Sequence, residues 1–297
     1  MADPDALPLG SLASWIAAQR WFANSSDDAL SVETSLSLTT DGAVRMLLVR
    51  DATPGAEAVY QVPVVADGTA GDVEGRIPGA EDAALVDGPK HPDYVRALLQ
   101  LLFAGPPALG PDGTAAEGVP IGWDGSAPAV VRAQVLSGEQ SNTSIIVAAE
   151  RADGSPVGLM VKVFRALHDG ENPDVVLQSA IAAAGSTRVP ATYAALLGSW
   201  PDPAAPGGTA HGHLAVAQEF LADTRDAWRV ALDAARAGED FADRARDLGA
   251  ATAEVHGVLA EALPTAEADD EAREAALASM RSRADQAAAL VLSLIHI

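Results

Sequence analysis

Residues 129–165 read AVVRAQVLSGEQSNTSIIVAAERADGSPVGLMVKVFR, and this stretch decides the fold class. It holds three strand-like runs, Ala129 to Leu136, Ser144 to Ala149 and Val157 to Phe164. Each is rich in β-branched residues and bounded by polar turn formers. The separator RADGSP at 151–156 has the Asp, Gly, Ser and Pro of a hairpin turn, and GEQSN at 138–142 is a polar loop between two strands. Lys162 sits inside the third run among valines, with Arg165 just after it. An ammonium buried there needs a partner, because an unpaired charge in an apolar setting is costly. Taken alone, the lysine is equally compatible with the exposed face of an amphipathic strand.

Downstream, a helical pattern runs from Asp174 to Ala184 behind Asn172-Pro173 and stops at Gly185. A strand pair follows at Ala191 to Leu197 and Gly212 to Phe220. From Asp226 onward the pattern is helical, with helices to about Ala237, from Phe241 to about Leu263, and from about Ala268 on. Upstream, a helix is expected around Leu12 to Phe22, then strands at Ser31 to Leu38, Val44 to Val49 and Val59 to Val65, alternating so that one face is buried. A helix at Pro92 to Phe103, with Tyr94, Leu98 and Leu101 on one face, closes this first unit. Gly105 to Gly125, rich in Gly, Pro and Ala, reads as a linker. The result is an α+β chain with segregated strands and helices.

Acidic residues outnumber basic ones by 41 to 19, for a formal charge of −22. Such a surface repels nucleic acid and anionic lipid, so a phosphate-bearing ligand requires a locally basic or amide-lined pocket. With no cysteine, disulfides, thiolate metal sites and cysteine nucleophiles are excluded. No basic n-region with an apolar core opens the chain and no run reaches a membrane span, so neither a signal peptide nor a membrane segment is expected, and a cytoplasmic setting is the default. Glu81-Asp82 and Asp269-Asp270-Glu271 read as solvated turns or helix starts. His211-Gly212-His213, at a strand start, reads as a loop rather than a zinc site, and no metal site is expected in this chain.

The hairpin and the lysine belong together. Gly138, Glu139, Gln140, Ser141, Asn142 and Thr143 lie about twenty residues before Lys162, the layout of a loop that covers a nucleotide followed by a strand lysine that holds its phosphates. The loop does not fit a Walker A pattern. The runs SGEQSNTS, VKVFR and GENPD, in that order, together with QRWF at 19–22 and YQVPV at 60–64, resemble the actinobacterial maltokinases, relatives of the aminoglycoside phosphotransferases within the protein-kinase-like fold. By that resemblance residues 1–112 form a maltokinase N-terminal cap, 113–222 a nucleotide-binding lobe and 223–291 the start of a helical lobe. ATP and Mg2+ are the implied cofactors. Lys162 would bind the ATP phosphates, residues 138–143 would cover them, and the backbone of Gln218, Glu219, Phe220 and Leu221 would receive the adenine as the hinge.

The implied reaction is phosphorylation of maltose to maltose 1-phosphate for α-glucan (glycogen) synthesis, with trehalose synthase as an implied partner. A glucosamine kinase of the same fold and a non-catalytic nucleotide- or partner-binding module are the alternatives. Two departures bear on this. Kinases of this fold pair the strand lysine with a helix acid, expected near position 176, where the chain has Val175-Val176-Leu177; Asp174, Glu171 and Gln178 are the candidates to replace it. No HGD-like catalytic loop and no later acidic metal ligand follows His256. The catalytic base is therefore expected beyond residue 297 and the chain alone is expected to be inactive. The final LSLIHI, 292–297, reads as a translated sequencing adapter. The helix at 248–263, with Leu248, Thr252, Val255 and Leu259 on one face, is expected to be a core helix with His256 partly buried.

Overall fold

The computed structural model describes residues 9–23, 29–55, 57–69, 73–79, 84–136 and 141–295. The elements in chain order are α1 (Leu9–Ala17), β1 (Leu30–Ser37), β2 (Val44–Asp51), β3 (Ala58–Ala66), β4 (Leu85–Asp87), α2 (Pro92–Phe103), β5 (Ala108–Leu109) and β6 (Ala115–Pro120). They continue with β7 (Ala129–Val135), β8 (Asn142–Glu150), β9 (Pro156–Phe164), β10 (Ala166–Leu167), α3 (Pro173–Ala183), β11 (Thr192–Pro201) and β12 (Thr209–Glu219). Three helices complete the chain: α4 (Ala227–Ala237), α5 (Ala242–Ala262) and α6 (Asp270–Ile295). The expected helices and strands are thus present in the expected order, except that the first helix, expected over Leu12 to Phe22, ends at Ala17.

Two sheets organise them. The smaller runs β1-β2-β3-β10, with β4 also on β3. The outer edge of β3 is divided, since Tyr60 and Val59 pair with Ala166 and Leu167 of β10, while Val64 to Ala66 pair with β4. The larger, fully antiparallel sheet has the order β5-β6-β11-β12-β9-β8-β7. The RADGSP turn closes the β8–β9 hairpin: Gly154 takes a φ of +82°, Asp153 accepts from the Ser155 N–H, and the Arg151 N–H donates to the Ser155 carbonyl.

Two expectations about the first hundred residues change. The cap strands were expected to bury one face, but β2 and β3 are buried along nearly their whole length. One face packs under α1 through Leu12, Ile16, Leu47, Val49 and Val62. The other joins a core shared with the larger sheet, in which Met46, Leu48 and Val59 meet Leu98, Leu102, Ile145 and Val161. With no free face there is no reason for polar residues to alternate. The second change concerns Gly105 to Gly125, which is no linker: β5 and β6 lie within it and belong to the seven-stranded sheet, even though Ala108–Leu109 falls in the segment assigned to the cap. Gly118 explains the misleading composition. A Cβ there would overlap the Leu101 carbonyl oxygen and lie 2.6 Å from that of Leu102, so the glycine lets β6 run against the backbone of α2.

Side chains reinforce the joint between the sheets. Gln61 of β3 is fully buried, and its Nε2 donates to the carbonyls of Phe164 and Leu214 at 3.2 and 3.1 Å while its N–H donates to the Arg165 carbonyl at 2.7 Å. Arg50 of β2 donates to the Pro201 carbonyl at 2.9 Å.

The C-terminal helices depart from expectation differently. No described residue of α5 is buried; Leu248 is 56 % exposed, and Thr252 and His256 are exposed as well. The 248–263 segment is therefore not a core helix here. It lies along α3, Arg188 of the following loop pairs with Glu254 at 2.8 Å, and among the described residues no element covers its apolar stripe deeply enough to bury it. The acidic start of α6 is as read, with Asp269 accepting from the Ala272 N–H. Glu81-Asp82 lies outside the described residues.

Gly118→Ala should cost about 3 kcal/mol or more, at the upper end for overpacking, because neither a helix backbone nor a central strand yields easily. The measurement is urea denaturation; a loss under about 0.5 kcal/mol would show that α2 and β6 are not in backbone contact.

Candidate functional site: the Lys162 face and its supports

The hairpin and the lysine meet. Ser144 of β8 lies directly across from Lys162 of β9, which in turn faces Val216 of β12, so all three share one face of the sheet. Val161 and Val163 point the other way into the core with Ile145. Lys162 keeps 24 % of its side-chain exposure, and its Nζ lies 3.9 Å from Asp174 Oδ2. Of the three candidate replacements for the helix acid, the structure places Asp174 at the lysine. Gln178, one turn further along α3, accepts at 2.6 Å from the Nε2 of buried Gln218. One face of α3 thus addresses both the lysine and the end of β12.

The NPD of GENPD builds the start of α3. Asn172 is the N-cap, its side chain accepting from the Asp174 N–H at 2.9 Å, and Pro173 occupies the first turn, where no N–H is missed. Asp174 falls in the first turn, where the helix dipole favours a carboxylate. The segment before it is laid on β12: the Gly170 N–H donates to the His211 carbonyl, the His211 N–H to Asp169 Oδ1, and the Asn172 N–H to His213 Nδ1 at 3.0 Å. A Cβ on Gly212 would come 2.5 Å from the His168 carbonyl oxygen, so that close approach requires glycine. The HGH tripeptide, read as a loop, therefore lies within β12 and is the docking strip for the turn that presents Asp174. Among the described residues no group of three or more His, Asp or Glu is arranged to hold a metal ion.

The remaining residues of the predicted site divide. Gly138, Glu139 and Gln140 lie outside the described residues. Ser141 is exposed at the tip, and Asn142 begins β8 opposite Phe164. Thr143 pairs with Val163 and so points away from Lys162; its Oγ1 accepts from Arg165 Nε at 2.8 Å. Glu219 ends β12 opposite Leu159, and Phe220 and Leu221 follow it out of the sheet. The Phe220 N–H donates to the Gly158 carbonyl at 3.0 Å, and Gly158 has no side chain to hold the Phe220 ring off. Leu221 is 43 % exposed, and its carbonyl accepts from Thr224. This segment joins the sheet to the helices from α4 onward.

The sequence did not reveal what Arg165 does. It is 1 % exposed, its Nη2 is 3.0 Å from Asp87 Oδ1, and its guanidinium lies 5.0 Å from the Trp21 ring centre. The arginine directly after the lysine strand thus binds β4 of the smaller sheet and the hairpin ahead of the lysine. The signal in the sequence was its place directly after the lysine strand, in VKVFR.

This arrangement, a seven-stranded antiparallel sheet carrying Lys162 and followed by helices, is a kinase-like fold. Two solved structures of glucosamine kinase, crystal forms A and B, share it with TM-scores of 0.53 and 0.51 at 21 % identity, covering 93 % of this chain and 58 % of theirs. The chain thus spans 58 % of the length of the kinases it matches. Residues 15–91 match the family model of the maltokinase N-terminal cap domain, a span that runs from the end of α1 through β1, β2, β3 and β4 and stops just before α2.

His213 carries a pH prediction. Burial pushes its pKa below the ordinary 6.5, against a smaller upward pull from Glu171, and Nδ1 must stay unprotonated to accept from the Asn172 N–H. A histidine whose folded pKa is depressed contributes stability that is complete above the unfolded value and is lost as pH falls below about 6.5. The melting temperature of the native chain should therefore fall more steeply below that pH than that of His213→Asn, whose Oδ1 can accept the same hydrogen bond without titrating. Parallel curves would remove His213 from this role.

Proposed function

We propose that this chain is the cap and ATP-binding lobe of a sugar kinase that transfers a phosphoryl group from Mg-ATP to maltose, forming maltose 1-phosphate. The observation that carries the reading is the half-buried Lys162, opposite Ser144 of the hairpin and, among the described residues, with a single carboxylate for an ion-pair partner at 3.9 Å. A cation so placed fits a phosphate. Its pair with Asp174, over half exposed, contributes no more than about 1 kcal/mol, so the pair sets the position of the ammonium more than it stabilises the fold. In this reading Lys162 holds the α and β phosphates, residues 138–143 cover them, and the backbone of 218–221 receives the adenine. ATP supplies the phosphoryl group. The maltokinase-type cap supports maltose as acceptor, and the likeness to glucosamine kinase supports glucosamine as the second candidate.

The direct test on this chain is ATP binding by titration calorimetry. Lys162→Ala should weaken it by about tenfold or more while shifting stability by less than about 0.5 kcal/mol, since a solvent-reaching charge adds little to packing. Unchanged affinity would overturn the site. For the acceptor, the whole protein should consume ATP with maltose and not with glucosamine; the reverse pattern would transfer the assignment to glucosamine.

A further inference from the structure

On the opposite side of the hairpin from Lys162, between the cap and the β7–β8 end of the larger sheet, lies a cavity of about 720 Å3. That volume lies in the usual range of small-molecule sites. Arg20, Arg76, Lys90 and Arg165 line it, against two carboxylates, Glu74 and Asp87. Asp87 is already engaged by Arg165, so four cations face one uncommitted acid in a chain whose net charge is −22. The cations are not drawn off elsewhere: among the described residues no carboxylate pairs with Arg20, Arg76 or Lys90. The stem of Lys90 lies against Gly75, where a Cβ would come 2.8 Å from its Cδ, so the lysine is led along this wall.

The floor of the cavity gives the second observation. Arg165 is 99 % buried, and although Nε and Nη2 are bonded, Nη1 has no hydrogen-bond partner among the described residues. Arg76 repeats the pattern: Nη2 donates to the Thr69 carbonyl while its buried Nε has no such partner. A buried donor left unmet costs about 1–3 kcal/mol, more when charged, so two such guanidinium groups on one cavity mark a missing acceptor. Trp21, stacked near Arg165 and edge-on to Trp15, supplies an apolar wall beside them.

We infer that this cavity binds a phosphate monoester of a small organic molecule. The dianion meets the free edges of Arg165 and Arg76, which suit phosphate geometry, with Arg20 and Lys90 at the mouth and the organic part against the indoles. The inference rests on the residues of this cavity, which shares Asn142 and Thr143 with the 138–143 segment but not Lys162.

The test is titration calorimetry of the full chain with glucose 6-phosphate, inorganic phosphate and glucose. Glucose 6-phosphate should bind more tightly than phosphate and glucose should not bind. Arg20→Ala/Lys90→Ala, both exposed positions that the fold tolerates, should weaken the ester by about tenfold or more. Lys162→Ala should leave it unchanged, which separates this site from the proposed nucleotide site. Absence of binding at about 10 mM ester, phosphate binding as tightly as the ester, binding indifferent to the double substitution, or binding lost in Lys162→Ala would each overturn the inference.

Discussion

A guanidinium sealed from water is the constraint around which this chain is arranged. Arg165 directly follows the strand that carries Lys162, and its charge is met at once by Asp87 from the smaller sheet, Thr143 from the hairpin and the face of Trp21 from the turn after α1. Removing one partner of such a pair is far more costly than the pair is beneficial, so each partner is held where the others need it. Every one of these contacts crosses from the cap to the larger sheet or from one strand of the hairpin to the next. The geometry on the far face of β9, where the lysine projects, is inherited from this knot.

The second support is a strip of backbone. The turn from His168 to Asp174 has little apolar content, and nothing in its own sequence would hold it still. It is ordered because its amides and carbonyls are received by β12 at His211 and His213, with Gly212 leaving room for the approach. A short acid at the helix start can then reach the lysine, where a longer one further along the helix was expected. Position is set by where the turn docks, and the length of the side chain adjusts to it.

Much of this was legible in the residues. The three strand runs around RADGSP, the helix stop at Gly185 and the helix at 92–103 follow from periodicity and turn chemistry, because those are local properties. Three things were not. Gly118 reads as a flexible linker residue because composition cannot distinguish a glycine that bends from one that lets a helix backbone come close. β2 and β3 read as half-buried because nothing in a single strand reveals that a second layer covers its other side. The choice of Asp174 over Glu171 and Gln178 depended on the docking of the preceding turn on β12, a contact between segments some forty positions apart. The apolar stripe of α5 shows the reverse failure, since its pattern promised burial that the surrounding elements do not supply.

The two-residue strand β10 has a consequence for how the molecule is made. Although the cap sheet has its first four strands by Asp87, the edge of β3 beside Tyr60 stays unpaired until Ala166 and Leu167 have been synthesised. A nascent chain that pauses anywhere in between exposes a hydrophobic strand edge on the ribosome, the kind of surface on which chaperones act and aggregation starts. Synonymous codon changes that slow translation between Lys90 and Phe164 are thus a hazard to the yield of this protein, independent of any effect on the finished fold.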